Sequence, residues 1–477
     1  MAAQIRVGIK DGSLEKRKFI FTINTENAGS ASDTFILGAG NLGVYNATIE
    51  WGDGTTSTIT SYNDTDLTHV YSTPGIYTIK VLGNLPWPKF NGTDREKLMS
   101  VNQWGYNEWR SMGTSFQGCS NLEIYATDIP NTSLVNTLAN AFNGCTSLTT
   151  MSLAGWDLTS CTSFGWGYTG GFQSCTSLTS IDFTGCKLNT TSNVQFREVF
   201  YNCTSLTTVT GFNTLNTSKV YTMYQTFRGC TSLTSLDMSG MDLSNCSDFR
   251  QMFYYNISLT SVDVSGVTFR TLGVNFSSTF QATPNLTTIT GIEDITVPFT
   301  NIIGMFRGCG ISGDLDLTGW DVSQVTSTSN TFSPTVNLTS LNVSGWDLSN
   351  CTTFGNRYAG MFNGCGADYI DVTGITIRTS GPVIMYEPFY GLGVCDVVGL
   401  DTWDISTVSN MKDFLRGSTI TTTEYDKLLV AWNALNPVSG LSVNFGTSKY
   451  TIGSPAEAAK SNLILSDLWT ITDGGGI

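Results

Sequence analysis

A phenylalanine returns along this chain at nearly constant intervals, and that recurrence narrows the accessible folds more than any other feature. The anchors are Phe116, Phe142, Phe172, Phe200, Phe227, Phe253, Phe280, Phe306, Phe332, Phe362, Phe389 and Phe414. Successive intervals are 26, 30, 28, 27, 26, 27, 26, 26, 30, 27 and 25 residues. A unit of about 27 residues cannot bury an apolar face alone, but stacked copies bury one continuously, so a fixed period of this length means a solenoid. The best-formed units read Phe-x-Gly-Cys-Thr-Ser-Leu, as in Phe142–Leu148 and Phe227–Leu233, and then enter a strand. In Leu233-Thr-Ser-Leu236-Asp-Met238-Ser-Gly-Met241-Asp-Leu243, alternation puts Leu236 and Met238 inward and Asp237 outward.

Equivalent positions in successive coils form columns, and this accounts for most of the cysteines. Cys119, Cys145, Cys175, Cys203, Cys230, Cys309 and Cys365 each lie three residues after an anchor. Cys161, Cys246 and Cys351 fill a second slot, Ser/Asn-Cys-x-x-Phe. Asn256, Thr283 and Thr335 stand in the first slot of other coils. A slot shared by Cys, Thr and Asn is a packing position for a small side chain. No Cys-x-x-Cys pair is present, so disulfides and a zinc site are the weaker readings.

The cadence Phe-x-Gly-Cys-x-Ser-Leu-x-x-Leu-Asp-x-Ser-Gly-Trp-Asp resembles the BspA-like leucine-rich repeats of bacterial surface proteins. It departs from the general leucine-rich pattern where Asn or Cys is usual: this chain has Trp156, Cys186, Met241, Trp320 or Trp346. Tyr425–Trp432, Phe445–Tyr450, Ala456–Ala459 and the stretch from Trp469 resemble the closing segment of that family. The resemblance implies a surface adhesin or interaction protein. Nearer the start, Trp51-Gly52-Asp53-Gly54, His69-Val70-Tyr71 and Pro74-Gly75-Ile76-Tyr77-Thr78-Ile79-Lys80-Val81 resemble the PKD family of immunoglobulin-like sandwiches. That likeness implies a spacer or docking module, with His69 packing beside Tyr71. Gly38-Ala-Gly40-Asn-Leu-Gly43 also fits G-x-G-x-x-G, but a phosphate loop needs a helix to start at its last glycine. The residues that follow read as a strand.

The fold class is therefore mainly β: a small Ig/PKD-like β-sandwich, then a leucine-rich-repeat-type parallel solenoid with an α+β C-terminal cap. Residues 1–16 form a leader or docking segment, 17–84 the sandwich, and 85–115 a linker and N-terminal solenoid cap with Trp104, Tyr106 and Trp109 over the first coil. Residues 116–420 form about 11–12 coils, and 421–477 the C-terminal cap.

Charged residues are 13% of the chain, the formal charge is −14, and no run of Lys or Arg longer than Lys16-Arg17-Lys18 occurs. Nucleic acid is excluded as a partner by the lack of a basic stripe. No stretch approaches the roughly 18 apolar residues of a membrane span. The first residues, Met1–Ser13, contain no apolar signal region. His69 is the one histidine, so no Ser-His-Asp or Cys-His set can be built in the solenoid. No enzyme, cofactor or metal is expected.

The candidate ligand-facing column is Ser152, Asp182, Thr210, Asp237, Asp263, Thr290, Asp316, Asn342 and Asp371. Asp237 and Asp263, in adjacent coils, would have carboxylates about 5 Å apart. Such charges repel unless a cation or a polyhydroxyl ligand lies between them. A calcium-assisted or sugar-binding strip is one reading. A solvated acidic face that discourages lateral pairing is the plainer one.

These features lead to an expected surface-displayed structural or binding protein, a phage virion accessory such as a capsid decoration, head fibre or tail-associated fibre. It would sit on the virion surface, docking on other virion proteins through the N-terminal region with Arg6, Lys10, Lys16, Arg17 and Lys18. A host surface glycan or protein is the expected ligand, and a second copy of the chain is a further candidate partner. The alternatives are a bacterial cell-surface adhesin and a polysaccharide-binding accessory module of an enzyme.

Overall fold

The structure, a computed structural model, describes residues 12–167 and 169–477. It forms two compact units, residues up to Thr222 with Gly229–Leu233, and Met223–Arg228 with Thr234–Ile477.

The first unit opens with strands set by alternating apolar residues. These are β1 Phe19–Asn24, β2 Thr34–Ile36, β3 Gly38–Ala39, β4 Asn46–Glu50, β5 Thr56–Ile59, β6 Thr68–Val70, β7 Ile76–Asn84, β8 Pro88–Lys89, β9 Leu98–Gln103 and β10 Glu123–Ile124. Six form one sheet in the order β10-β9-β1-β7-β4-β5, and β2–β6 and β3–β8 pair separately. Phe19, Phe21 and Ile23 of β1 are fully buried. Phe21 meets Phe35 of β2 with ring centroids 6.3 Å apart.

The segment expected as a linker is built into this sheet. Strand β9 pairs antiparallel with β1, and β10 pairs parallel with β9. Phe90 contacts Phe21 at 5.0 Å and stacks on Phe116 at 5.2 Å, so the phenylalanine file begins one step before the first anchor read from the sequence. The core beneath the six-stranded sheet therefore runs into the core of the coils without a break. Trp104 and Trp109 are buried against this junction, whereas Tyr106 is exposed beside Arg17.

Each coil has three sides. In the first unit Thr150–Ser152, Ser180–Asp182 and Thr208–Thr210 form a parallel ladder on one side. Asp157–Leu158 pairs with Lys187–Leu188 on the second, and Val194–Gln195 with Val220–Thr222 on the third. Phe116, Phe142, Phe172 and Phe200 stack at 5.0, 5.1 and 5.7 Å. In the second unit, Ser235–Asp237, Ser261–Asp263 and Thr288–Thr290 form one parallel ladder. Ser312–Asp316, Asn337–Asn342, Tyr369–Asp371 and Asp396–Val398 form another. Its anchors, from Phe227 to Phe389, stack at 5.0 to 5.9 Å with rings within 15° of parallel. Between Phe389 and Phe414 the rings turn to 61°, where the cap begins.

Many polar atoms inside the stack are satisfied from one coil to the next. All twelve cysteines are buried and free of disulfides. The thiols of Cys145, Cys175, Cys203 and Cys230 donate to the carbonyls of Phe116, Phe142, Phe172 and Phe200 at 3.0 to 3.1 Å. Thr283 and Thr335, in the same slot, donate instead to the carbonyls of Phe280 and Phe332 in their own coils. In the last coil the Ser418 hydroxyl reaches back to the Phe389 carbonyl at 2.6 Å. The indoles of Trp320, Trp346 and Trp403 donate to Ile292, Leu317 and Val372, each about one coil back. A buried donor without such a partner would cost about 1–3 kcal/mol, so the columns require these residue types as well as their volume.

The C-terminal cap has helices Thr422–Ala434 and Pro455–Leu465, capped by the side chains of Thr421 and Ser454. Strands Ser442–Asn444 and Thr470–Thr472 pair in parallel. Leu415 N–H donates to Asn444, and Trp432 and Phe445 close on Phe414, which ends the exposed edge of the last coil.

Candidate functional site

The outward column is in register where the sequence places it. Ser152 pairs with Asp182 and Asp182 with Thr210; Asp237 pairs with Asp263 and Asp263 with Thr290; Asp316 pairs with Asn342 and Asn342 with Asp371. Most of these side chains are engaged locally. Oδ1 of Asp182, Asp237, Asp263, Asp316, Asn342 and Asp371 accepts the backbone N–H two residues on, at 2.8 to 3.1 Å. The Ser152 hydroxyl accepts the Ala154 N–H at 3.2 Å.

This is Asx-turn chemistry, in which a short acceptor side chain closes a corner of the backbone. All seven have Gly three residues later, whereas Thr210 and Thr290 are followed directly by Gly211 and Gly291 and turn differently. Two further corners use the same device, at Asp242, Asp321, Asp347 and Asp404, and at Asp248, Asn275, Asn301 and Asn410. Much of the acidity of the chain is thus turn chemistry. Among the described residues no group of three or more His, Cys, Asp or Glu side chains could hold a metal ion.

Among the N-terminal strands, His69 stacks on Trp51 at 4.7 Å and meets Tyr71 edge-on at 4.5 Å. Its Nε2 lies 2.8 Å from Asp53 Oδ2, a pairing that sequence reasoning missed although both residues belong to the motif. Burial pushes the Asp53 carboxyl up, but the Thr55 hydroxyl, His69 and the Thr55 amide outweigh it and hold the group at about 2. After Gly43 the chain enters strand β4 instead of a helix, and Gly40 lies against the Trp87 ring. Of the basic residues expected to dock, Arg6 and Lys10 lie outside the described residues. Lys18 is buried and pairs with Glu15 and Glu50 at 2.8 and 2.9 Å.

Sequence reasoning also missed a duplicated insertion. The two 30-residue intervals contain Phe164-Gly165-Trp166-Gly167-Tyr168-Thr169-Gly170 and Phe354-Gly355-Asn356-Arg357-Tyr358-Ala359-Gly360, which match as Phe-Gly-x-x-Tyr-x-Gly. In each, a Cβ on the last glycine would sit 1.7 Å from a carbonyl of the following coil, Glu198 or Glu387, so only glycine fits there. The Tyr358 amide donates to the buried Glu387 carboxylate at 2.6 Å. The ring of Tyr358 is 69% exposed, with the Arg357 guanidinium 4.9 Å from its centroid. Tyr168, its counterpart, lies outside the described residues. The paired interval lengths were the available signal.

Comparison with known proteins gives two family matches, both within the repeat. Residues 112–198 match the BspA type leucine rich repeat region, in six copies. Residues 168–289 and 300–370 match a family described as Mycoplasma protein of unknown function, DUF285. Neither match is to a catalytic family. No curated protein matches the chain. Among solved structures, a leucine-rich repeat protein from Bacteroides ovatus ATCC 8483 aligns at 14% identity over 92% of this chain and 91% of its own, with a TM-score of 0.36. That score is too low to bear on the fold, which stands on the coil geometry. Among the described residues no helix is long and apolar enough to cross a membrane.

Proposed function

We propose that this protein is a non-enzymatic attachment protein that presents the sides of its coils to a partner. One observation carries the reading. The chemically versatile residues are committed to the frame: thiols and indoles to carbonyls inside the stack, aspartates to its corners. What remains for function is a set of outward positions on a rigid support, the arrangement that repeat proteins use for binding. The match of residues 112–198 to a BspA type repeat region supports the same conclusion.

The finer proposal places that support on a phage virion, with the PKD-like sandwich and the segment before it as the docking end. Twelve thiols buried in the reduced state suit a chain that folds in a reducing cytoplasm and leaves by lysis. A bacterial cell-surface adhesin is the second reading, favoured by the BspA type match. Quantitative mass spectrometry of purified virions tests the choice. A fixed number of copies per particle is expected. Absence from particles, together with protease-sensitive exposure on intact cells, would establish the adhesin instead. Turnover of a polysaccharide by the purified chain would overturn the non-enzymatic reading itself.

A further inference from the structure

A cleft of about 490 Å³ in the first unit lies between Trp87 and the outer face of the first coils. This is within the roughly 300–1,000 Å³ usual for small-molecule sites. One wall is the Trp87 indole, whose Nε1 donates to the Gly113 carbonyl at 2.9 Å. The ring is set close against Gly40, where a Cβ would come within 2.0 Å of it. The indole is thus fixed in place before any ligand arrives.

The surface of the cleft is mainly apolar, and a few polar groups along its walls are left unused by the fold. The Lys89 ammonium lies 5.1 Å from the Trp87 ring centroid and has no carboxylate partner among the described residues. The Asn136 carboxamide and the Thr114 and Thr162 hydroxyls line the same cleft and make no side-chain hydrogen bond among the described residues. Asn140, by contrast, is spent: it donates to Thr169 and accepts from Asn143, both at 2.8 Å.

We propose that this cleft binds a sugar unit bearing a carboxylate, such as a uronic or sialic acid residue of a glycan. The inference deepens the attachment reading and rests on it. An indole offers an apolar surface to the C–H face of a pyranose. The free amide and hydroxyls match ring hydroxyls, and the ammonium matches a carboxylate, as a charge-assisted bond. A purely apolar ligand would leave those polar groups desolvated without partners. An acidic peptide would satisfy the ammonium but offers no hydroxyl-studded face to the Thr and Asn side.

Calorimetric titration of the full chain with sialyllactose (a terminal acid), short oligogalacturonates (internal acids), lactose and a Glu-rich peptide tests the proposal. At least one acidic saccharide is expected to bind, and to bind more tightly than lactose or the peptide. Lys89→Gln is expected to weaken the acidic saccharide by about tenfold or more, the loss of a bond to a charged group, and to leave any lactose binding unchanged. Trp87→Ala is expected to abolish binding, with its unfolding midpoint checked against the wild type. Lys89→Gln keeps the test valid if that variant misfolds. Overturning results are no saccharide binding by folded wild type, preference for the peptide, or unchanged acidic-saccharide affinity in Lys89→Gln. If saccharides fail while the chain is still found on particles or cells, the site is wrong and attachment stands. If saccharides bind while the chain is on neither, the reverse holds.

Discussion

One oxygen of Asp237 accepts the Ser239 amide, and Asn342 and Ser152 accept the equivalent amide in their own coils. The position therefore requires a short acceptor and not a charge. Asp237→Asn should leave stability within about 0.5 kcal/mol of wild type, whereas Asp237→Ala should lower it by about 1 kcal/mol, the worth of one such hydrogen bond. Urea unfolding of both variants decides it: equal losses would mean that the charge matters and the turn does not. Asp53 tests the electrostatics at the same scale. Its value falls from the ordinary 3.8 to about 2 in the folded chain. The folded state thus binds fewer protons than the unfolded one between those values, and the stability gained is fully present above pH 3.8 and lost as pH falls through 2. The difference in melting temperature between wild type and Asp53→Asn should accordingly shrink as pH is lowered from 5 to 2. A constant difference across that range would show that the Thr55 and His69 contacts do not act through the charge.

Within a coil, the anchor ring touches its neighbours on both sides: Phe280 stacks at 5.7 Å on Phe253 and at 5.9 Å on Phe306. Phe280→Ala should cost about 3–5 kcal/mol, the usual range for deleting a buried ring, as measured by denaturant unfolding. Cys203→Thr should cost far less, below about 1.5 kcal/mol, because Thr283 and Thr335 show that a threonine in this slot satisfies its hydroxyl on the anchor carbonyl of its own coil. A Thr variant as damaged as the Ala one at Phe280 would show that the slot is more than a packing position. The ladder elements were legible because their signal is an inward residue repeated at constant spacing, as for Phe142, Cys145 and Leu148. The turns were not, because an outward Asp in an Asx turn and an outward Asp in a binding strip look alike until the N–H two residues on is placed. The residue two before the anchor was hidden as well. Thr114, Asn140, Glu198, Gln225, Gln251, Ser278, Asn330 and Glu387 all have φ between 55° and 59° there, a left-handed conformation that a glycine marks only at Gly304, before Phe306. Strand β9 escaped notice because its pairing partner, β1, lies some eighty residues earlier.

Across the whole molecule the thiols give a pH signature of their own. Burial pushes Cys161, Cys175 and Cys246 up from 9.0 to about 12. The unfolded chain releases these protons first, so the stability involved is complete below pH 9 and is lost as pH rises through 12. Denaturant midpoints should fall progressively from pH 9 upward, and a flat profile to pH 11 would contradict the burial of these groups. Within each unit the Phe, Cys and Trp columns make the interior a file of equivalent side chains, one per coil, with sulfurs that are reduced and shielded. Counting thiols with a chromogenic disulfide reagent, on protein purified without reductant, tests that arrangement most directly. No rapidly reacting thiol is expected in the native chain at pH 8, and all twelve are expected to react after unfolding in guanidinium. Fewer than twelve in the unfolded chain, or several reacting in the native one at the rate of a free cysteine, would mean that the sulfurs are paired or exposed and that the coils are not stacked as described.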